Sequence, residues 1–181
     1  DNGVYSVSAN AYIDLNDLNE AAAIGDFRDG GIVFWVDPAD NTHGLVCAIN
    51  DQSGSAVWGC AGTSVLVTNG GIGSGAANTA AILASCTTTG IAAHIAINYD
   101  GTVFSDWFLP SVSELNEMYL NRVIINAALI ANGGTAFDAS FYWSSTEGNA
   151  TSSYFQFLGN QNLQSLNLKS NTAAVRAVRA F

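Results

Sequence analysis

Two apolar runs separated by a polar turn dominate the first third of the chain. Residues 30–37 read GGIVFWVD, a β-branched and aromatic stretch that opens with glycines and closes at an Asp-Pro pair. Residues 44–51 read GLVCAIND, and the PADNTHG sequence between the two runs has the composition of a turn. Short apolar runs bounded by such residues are typical of buried strands. The pattern therefore predicts a β-hairpin over residues 30–51.

The next part of the chain has a weaker pattern. Residues 52–77 are rich in Gly, Ser and Thr and predict a loop, with Trp58 as its anchor. Residues 78–86, NTAAILASC, predict a short helix with Asn78 near its N-cap. Residues 91–99, IAAHIAINY, are apolar and fit either a helix or a strand.

The clearest local signal lies in residues 106–122, DWFLPSVSELNEMYLNR. Ser111 and Glu114 have the S-x-x-E spacing of a capping box, in which each residue bonds the main-chain N–H of the other. Pro110 blocks extension of a helix upstream. The apolar residues that follow have helical spacing, so this stretch predicts a helix that buries one stripe.

Four short runs follow a looser region and complete the chain. Their spacing is that of an antiparallel meander, with strands predicted over residues 141–147, 152–158, 162–168 and 173–181. The element order is therefore a hairpin, two helices and several strands. This order predicts a single α+β domain.

The stretch from 152 to 171 has an unusual composition. It reads SSYFQFLGNQNLQSLNLKSN, and its one charged residue is Lys169. One interpretation is a solvated meander face with Phe and Leu on the inner side. However, Asn is disfavoured in strands. Neutral amides with Tyr suit a recognition surface, because they offer donors and acceptors with little charge to desolvate. We therefore favour recognition over the plain solvated face, and predict that the strands bury Phe and Leu on one side and hold Tyr154 and the amides outward as contacts.

Composition and charge narrow the function classes. Hydrophobic residues make up 49% of the 181 residues and charged residues 11%, which indicates one folded domain. The formal charge of −10 opposes binding to nucleic acid or anionic lipid, and no apolar run reaches the roughly 18 residues of a membrane span. Arg176 and Arg179 lie in the last predicted strand, where we expect internal ion pairs. Because the chain begins at Asp1 rather than Met, we expect a piece of a longer protein.

Residues 1–27 differ from the rest of the chain. They are acidic, and Leu15, Leu18 and Ala22 follow a short helical spacing. The segment is either a docked linker or the end of an oligomeric stalk. The domain itself is then expected over residues 28–181.

The three cysteines indicate a disulfide. Cys60 and Cys86 each lie at the boundary of a predicted element, and Cys47 lies within an apolar run. A metal site is the alternative, but no C-x-x-C spacing exists and His43 and His94 are distant in sequence. We predict a Cys60–Cys86 disulfide, worth about 3 kcal/mol, with Cys47 as a buried thiol. A disulfide fits an oxidising, extracellular setting.

Three other candidate sites are weaker. The glycine-rich residues 70–75 lack the lysine and the strand context of a phosphate-binding loop. Residues 37–43, DPADNTH, carry oxygen ligands that suit calcium, which stays open as a cofactor, although turn chemistry explains them as well. His94, Ser144 and Asp106 have the residue types of a hydrolase triad, but there is no G-x-S-x-G motif. We therefore predict a protein without catalytic activity.

Several motifs together resemble one family. The chain is similar to the DUF1566 family of bacterial and phage surface domains, which is related to the C-terminal domain of the Legionella collagen-like adhesin. Within this family, the chain most resembles secreted proteins of Bacteroidetes. The similarity covers residues 25–181. Its motifs are GGIVFWVDPADNTHGLVCAINDQS, WGCAGT, NTAAI, DWFLPSVSELNEMY, YWSSTE and VRAVRAF.

The resemblance implies a C-type-lectin-like fold. In such a fold the first and last strands pair, so residues 31–37 should lie beside residues 174–181. Two helices, near 77–86 and 111–122, should flank antiparallel sheets. The calcium-dependent sugar motifs of true lectins are missing from this chain, and its charge of −10 is unlike the basic surface that would bind a sulfated polysaccharide.

The resemblance also implies a function. Such domains stand at the tips of fibres or surface proteins, often as trimers, and bind cell-surface glycans or proteins. Related lectin-like proteins are varied by diversity-generating retroelements near the C-terminus, where this chain has its amide-rich stretch. The expected contact residues are Asn149, Ser152, Tyr154, Gln156, Asn160, Gln161, Asn162, Gln164 and Asn167. The alternatives are a structural fibre subunit, with the same face packed between protomers, and an enzyme on a lectin-like scaffold.

Overall fold

The computed structural model describes residues 20–67 and 69–181, which form an α+β fold of two sheets and four helices. The prediction of an α+β domain is confirmed at this level. The interpretation of Leu15 and Leu18 as a linker or stalk lies outside the described residues. The strands are β1 (Phe27–Arg28), β2 (Gly31–Val36), β3 (Gly44–Ala48), β4 (Ser53–Val57), β5 (Phe141–Glu147), β6 (Ser152–Phe157), β7 (Gln164–Leu168), β8 (Thr172–Val175) and β9 (Val178–Ala180). The helices are α1 (Gly75–Ser85), α2 (Ala92–Ile97), α3 (Val112–Leu120) and α4 (Arg122–Ala131).

The first sheet has the antiparallel order β1-β2-β3-β9. Its centre is the predicted hairpin of β2 and β3, which is confirmed. Val33 packs into one core cluster, whereas Ile32 and Phe34 pack into a second cluster on the other face of the sheet. Because both faces of β2 are covered, its sequence is a continuous apolar run rather than an alternation.

The predicted neighbour of the last strand is wrong. β9 pairs with β3 and not with β2, because β1 already occupies the free edge of β2 through the pairs Phe27–Ile32 and Arg28–Gly31. Strands β2 and β9, which were expected to pair, are therefore separated by β3 in the sheet.

The second sheet has the order β4-β8-β5-β6-β7, with one parallel pair, β5 and β8. The prediction of a continuous loop over residues 52–77 is wrong, because β4 pairs with β8 along the edge of this sheet. The small polar residues of β4, SGSAV, give no apolar signal in the sequence. β7 forms the opposite edge.

The predicted strand 173–181 is divided between the two sheets. Arg176 lies between β8 and β9 and is fully buried. Its guanidinium donates to the Asp51 carboxylate and to the main-chain oxygens of Ala48 (2.9 Å) and Thr135 (3.2 Å). Arg179 pairs with Asp106. The expected internal ion pairs of both arginines are thus confirmed. The Arg176–Asp51 pair fixes the segment in which the chain passes from β8 in the second sheet to β9 in the first.

The helices agree in part with the sequence. The capping box of Ser111 and Glu114 begins α3 as predicted. α1 begins earlier than predicted, with Ser74 at its N-cap, and Asn78 is instead buried within the helix. Residues 92–97 of the ambiguous run are helical. α4 fills much of the looser region and was not predicted. Within the described residues, none of the helices has the length and apolar character needed to cross a bilayer.

The disulfide between Cys60 and Cys86 is present, as predicted. It joins the loop after β4 to the C-cap of α1. Cys47 is a free, buried thiol in β3, and burial raises its pKa to about 12. Cys47 is therefore packed as an apolar side chain and is not a reactive nucleophile.

Candidate functional site

The amide-rich stretch forms the antiparallel ribbon of β6 and β7 at the edge of the second sheet. Tyr154 is opposite Leu166, and Gln156 is opposite Gln164. β7 has no neighbour on its outer side in the described sheet, and none of its five residues is buried. A strand that exposes both faces and one edge is free to contact a partner. We call residues 148–168 the ribbon.

The leucines of the ribbon do not lie where the sequence predicted. Leu163, Leu166 and Leu168 are all exposed, by 43–51%. Cross-strand partners share a face of a sheet, so Leu166 lies on the same face as Tyr154. The predicted division into an inner apolar face and an outer amide face is therefore wrong. The opposite face of the ribbon carries aromatic rings, since Phe155 stacks on Phe141 at 4.1 Å between ring centroids.

Gln156 is not a contact residue. It is fully buried on the face covered by α3, where its amide nitrogen donates to Asn116 (3.3 Å) and Asn162 (3.2 Å). Its amide oxygen accepts from Gln164 at 3.0 Å. Gln156 shares its face with Tyr154 and Leu166, but α3 covers the strand at position 156, which the composition could not reveal. The side chain instead positions the two neighbouring amides of the ribbon.

The other predicted contact residues remain accessible to different degrees. Asn160, Gln161 and Asn162 form the exposed tip between β6 and β7. Gln164 is exposed and donates to the carbonyl of Val112 at 3.2 Å. The remaining predicted residues are Asn149, Ser152, Tyr154 and Asn167, of which Asn149 is exposed and the other three are half-buried.

Two of those asparagines hold turns with their side-chain oxygens. Asn149 accepts hydrogen bonds from Thr151 and Ser152, and Asn167 accepts one from Asn171. Their amide nitrogens are the atoms left to face a partner.

The ribbon is uncharged, and the nearest charges are paired internally. From Gly148 to Leu168 there is no Asp, Glu, Lys or Arg. Lys169, directly after β7, is fully buried against Trp58 and donates to Glu147 and to the carbonyl of Thr63. An otherwise acidic protein thus has a neutral surface here.

Glu147 connects the ribbon to the loop after the disulfide. Its carboxylate accepts from the main-chain N–H groups of Val65 (2.9 Å) and Leu66 (2.9 Å) and from the Ser64 hydroxyl (2.8 Å). Burial raises the pKa of Glu147, but the hydrogen bonds from Lys169, Val65 and Ser64 outweigh it and leave the pKa below its usual value. The carboxylate is therefore a structural anchor in its ionised form.

The glycine-rich loop binds an anion of the protein itself. Main-chain N–H groups of Gly73 (2.8 Å) and Gly75 (3.3 Å) donate to the Glu114 carboxylate, which also accepts from Ser111 (2.7 Å). A Cβ atom on Gly75 would lie 2.3 Å from that carboxylate. Burial raises the pKa of Glu114, while these hydrogen bonds act in the opposite direction. The cradle is filled by Glu114, so the loop has no room for a phosphate.

The turn considered for calcium uses its carboxylates locally. Asp37 accepts from the N–H of Ala39 (2.8 Å), and Asp40 accepts from Thr42 and His43. In the parts of the chain that the structure describes, no cluster of three or more His, Cys, Asp or Glu residues has the arrangement of a metal site.

The triad residues do not contact one another. Ser144 is buried and donates to the carbonyl of Tyr154, and Asp106 pairs with Arg179. His94 lines an open cleft of about 440 Å³ together with Asp51 and Asp100. However, its Nδ1 atom has no hydrogen-bond partner among the described residues, so no carboxylate holds that nitrogen as the Asp of a triad does.

Comparisons with known proteins give a likeness of fold. No family model matches the chain, and no curated protein matches it. Among solved structures, the chain is similar to a fimbrial protein from Bacteroides ovatus ATCC 8483, with 20% sequence identity and a TM-score of 0.58. The alignment covers 88% of this chain and 45% of that one, so this chain spans less than half of the fimbrial protein. At this identity the likeness concerns the fold alone.

Proposed function

We propose that this chain is a non-catalytic recognition or adhesion domain of an extracellular fibre or surface protein, and that it contacts its partner through the ribbon. The observation that carries the proposal is the exposed edge strand β7, which presents leucines and amides without any charge. The protein carries a formal charge of −10, but the ribbon is neutral, so a partner that binds there does not have to remove water from charged groups.

Two findings support the surface setting. The fold resembles that of a fimbrial protein, and the Cys60–Cys86 disulfide is typical of oxidising compartments outside the cytosol. The C-type-lectin-like assignment and the DUF1566 relationship belong to the same proposal. They are supported by two sheets flanked by α1 and α3 and by the motifs described above.

The chemistry of the ribbon favours a protein receptor over a glycan. Leu166 and Leu168 lie beside Tyr154 on one face, and exposed leucines gain most when they are covered by apolar atoms. The tip of Asn160, Gln161 and Asn162 adds donors and acceptors at the border of this apolar area. An apolar centre with a polar rim is the usual composition of a protein–protein interface.

A second candidate function rests on the same strand. An unpaired edge with exposed leucines can also pack against another subunit of a fibre. In that case the ribbon would be buried between protomers and would have no separate receptor.

The test compares a ribbon variant with a matched control on the full chain. Leu166→Asp combined with Leu168→Asp introduces two carboxylates on exposed positions, and Val103→Asp introduces one on an exposed loop, where Val103 is 91% exposed. Binding to receptor-bearing cells and to glycan and surface-protein arrays is measured alongside oligomeric mass.

We expect the ribbon variant to lose binding at unchanged mass while the control retains it. Unchanged binding by the ribbon variant would overturn the recognition proposal. A fall in mass without any detectable binding by the original protein would support the fibre subunit instead.

A further inference from the structure

Helix α4 has large apolar side chains on its outer side as well as on its inner side. Ile125 and Leu129 are fully buried in the second core cluster. On the opposite side, Val123 is 74% exposed and Ile130 is 65% exposed. A surface helix normally carries polar residues on its outer face. The outer face of α4 is therefore a candidate contact surface.

The exposed residues follow the spacing of a helix-packing stripe. Within α4, Ala127 follows Val123 by four residues and Ile130 follows Ala127 by three. Leu120, the last residue of α3, is also exposed and lies just before α4 in the chain. Positions spaced by three and four residues alternately form the contact stripe of paired helices. Ile124, exposed by 52%, lies beside this stripe.

Phe27 extends the apolar area across the sheet. It is paired with Ile32, whose side chain packs with Ile125 and Leu129, so Phe27 lies on the face of the sheet that carries α4. The chain just before Phe27 also packs closely against α4, since a Cβ atom added to Gly25 would lie 2.7 Å from the Ile124 side chain. We call this surface the α4 patch, formed by Phe27, Leu120, Val123, Ile124 and Ile130.

The patch concentrates apolar exposure in one place. It contains five of the ten large hydrophobic side chains that are exposed in the described residues, and the ribbon contains three more. Clustered apolar exposure marks interaction sites on soluble proteins, whereas single scattered apolar residues are ordinary. The exposure of α4 is therefore more than the scatter of single apolar residues expected on any surface.

We propose that the α4 patch binds the same patch on a second copy of this chain. Charge selects this occupant. Two copies with a charge of −10 each repel one another over most of their surface, but from Met118 to Phe137 there is no carboxylate. The carboxylates nearest the patch in sequence are Asp26 and Glu117, which flank it, and the one charged residue of α4 is the half-buried Arg122. A stripe without charge is also self-complementary, as a twofold contact requires.

The size of the patch sets the expected affinity. A stable interface buries about 800 Å² on each partner, which is more than five partly exposed side chains provide by themselves. The polar residues around them must supply the remainder. We therefore expect reversible association in the micromolar range, at about 1–100 μM.

The experiment measures oligomeric mass by sedimentation or light scattering of the full chain across that concentration range. The original protein should exceed its monomer mass of 18.8 kDa as concentration rises. Val123→Glu combined with Ile130→Glu should weaken association more than about tenfold, because carboxylates would be buried without partners. Val103→Glu is the matched control and should associate like the original protein. Circular dichroism checks that all variants are folded.

Two further variants keep the proposal falsifiable. Val123→Lys combined with Ile130→Lys should not self-associate, but mixing it with the glutamate variant should restore association if α4 faces α4. The proposal is overturned by a monomeric original protein throughout the range, by a glutamate variant that still associates, or by a mixture that stays monomeric. Dissociation caused only by the ribbon variant would assign the contact to β7 and equally reject the α4 patch.

Discussion

Replacing Lys169 with methionine tests how the ribbon is held on the domain. The ammonium group of Lys169 is completely buried, lies 4.5 Å from the centre of the Trp58 ring and donates to Glu147 and Thr63. Methionine has a similar length and fills the same space, but it leaves the Glu147 carboxylate buried without its cation. The perturbation is therefore mainly electrostatic.

The expected loss follows from the contacts that remain. Removing one partner of a buried ion pair costs about 3–5 kcal/mol. Glu147 keeps its bonds from Ser64, Val65 and Leu66, so we expect the lower end, about 3 kcal/mol. Adding Glu147→Gln to the methionine variant removes the unpaired charge while an amide oxygen can still accept from the loop. The double variant should therefore be more stable than the single one by about 1 kcal/mol.

The assay is urea unfolding under non-reducing conditions, followed by circular dichroism. Arg122→Met is the control, because it removes the same charge from a side chain that is only half-buried, and it should cost less than about 1 kcal/mol. If Lys169→Met costs no more than this control, or if the double variant is less stable than the single one, the pair does not anchor the ribbon.

The same pair predicts a pH dependence of defined sign. The pKa of Glu147 is lower in the folded protein than its ordinary 4.5. Ionised Glu147 therefore contributes its full stability above that value and loses it as the pH falls through the folded pKa. The difference in unfolding free energy between the original protein and Glu147→Gln should be largest near neutral pH and should shrink below pH 4.5. A difference that grows on acidification would contradict the assignment.

Three further predictions concern the scaffold. Glu114→Ala should lower the unfolding free energy by about 3 kcal/mol in urea, because three main-chain N–H groups, two of them buried, lose a charged acceptor. A loss under 1 kcal/mol, about the value of a single exposed cap, would show that water replaces the carboxylate. Reduction of Cys60–Cys86 should cost about 3 kcal/mol, measured as a shift of the urea midpoint with reductant, and an unchanged midpoint would refute it. Cys47 should resist alkylation at about pH 8 until the protein unfolds, because the thiol is buried and protonated. Mass spectrometry measures the labelling, and labelling as fast as that of a free thiol would show that the site opens to solvent.

The parts of the fold that sequence predicts are those specified by local chemistry. The hairpin is visible because its apolar runs are bounded by turn residues, and α3 is visible because its capping box is a contact between near neighbours. α4 was missed for a physical reason. Its residues, RVIINAALIA, place large apolar side chains on the exposed as well as the buried side, so apolar spacing alone does not identify the inner face.

The contacts between distant strands could not be predicted. The burial of Gln156 depends on its alignment with Gln164 and on the position of α3, neither of which leaves a local signal. The leucines of the ribbon do not alternate regularly in sequence, and only the pairing of Leu166 with Tyr154 shows which face Leu166 occupies. β8 and β9 read as one strand because the burial of Arg176 between them requires Asp51, which lies 125 residues away in sequence.

The two proposed surfaces suggest how weak contacts would suffice for adhesion. The ribbon and the α4 patch share no residue, and together they hold eight of the ten exposed large apolar side chains in the described residues. If α4 joins two copies, each assembly presents two ribbons, and a second ribbon binds a surface at an effective concentration that can reach the millimolar range. A variant with glutamates at positions 123 and 130 should then keep the affinity of a single ribbon for a soluble receptor while dissociating faster from a receptor-coated surface. Equal dissociation of the variant and the original protein from that surface would show that the two sites act separately.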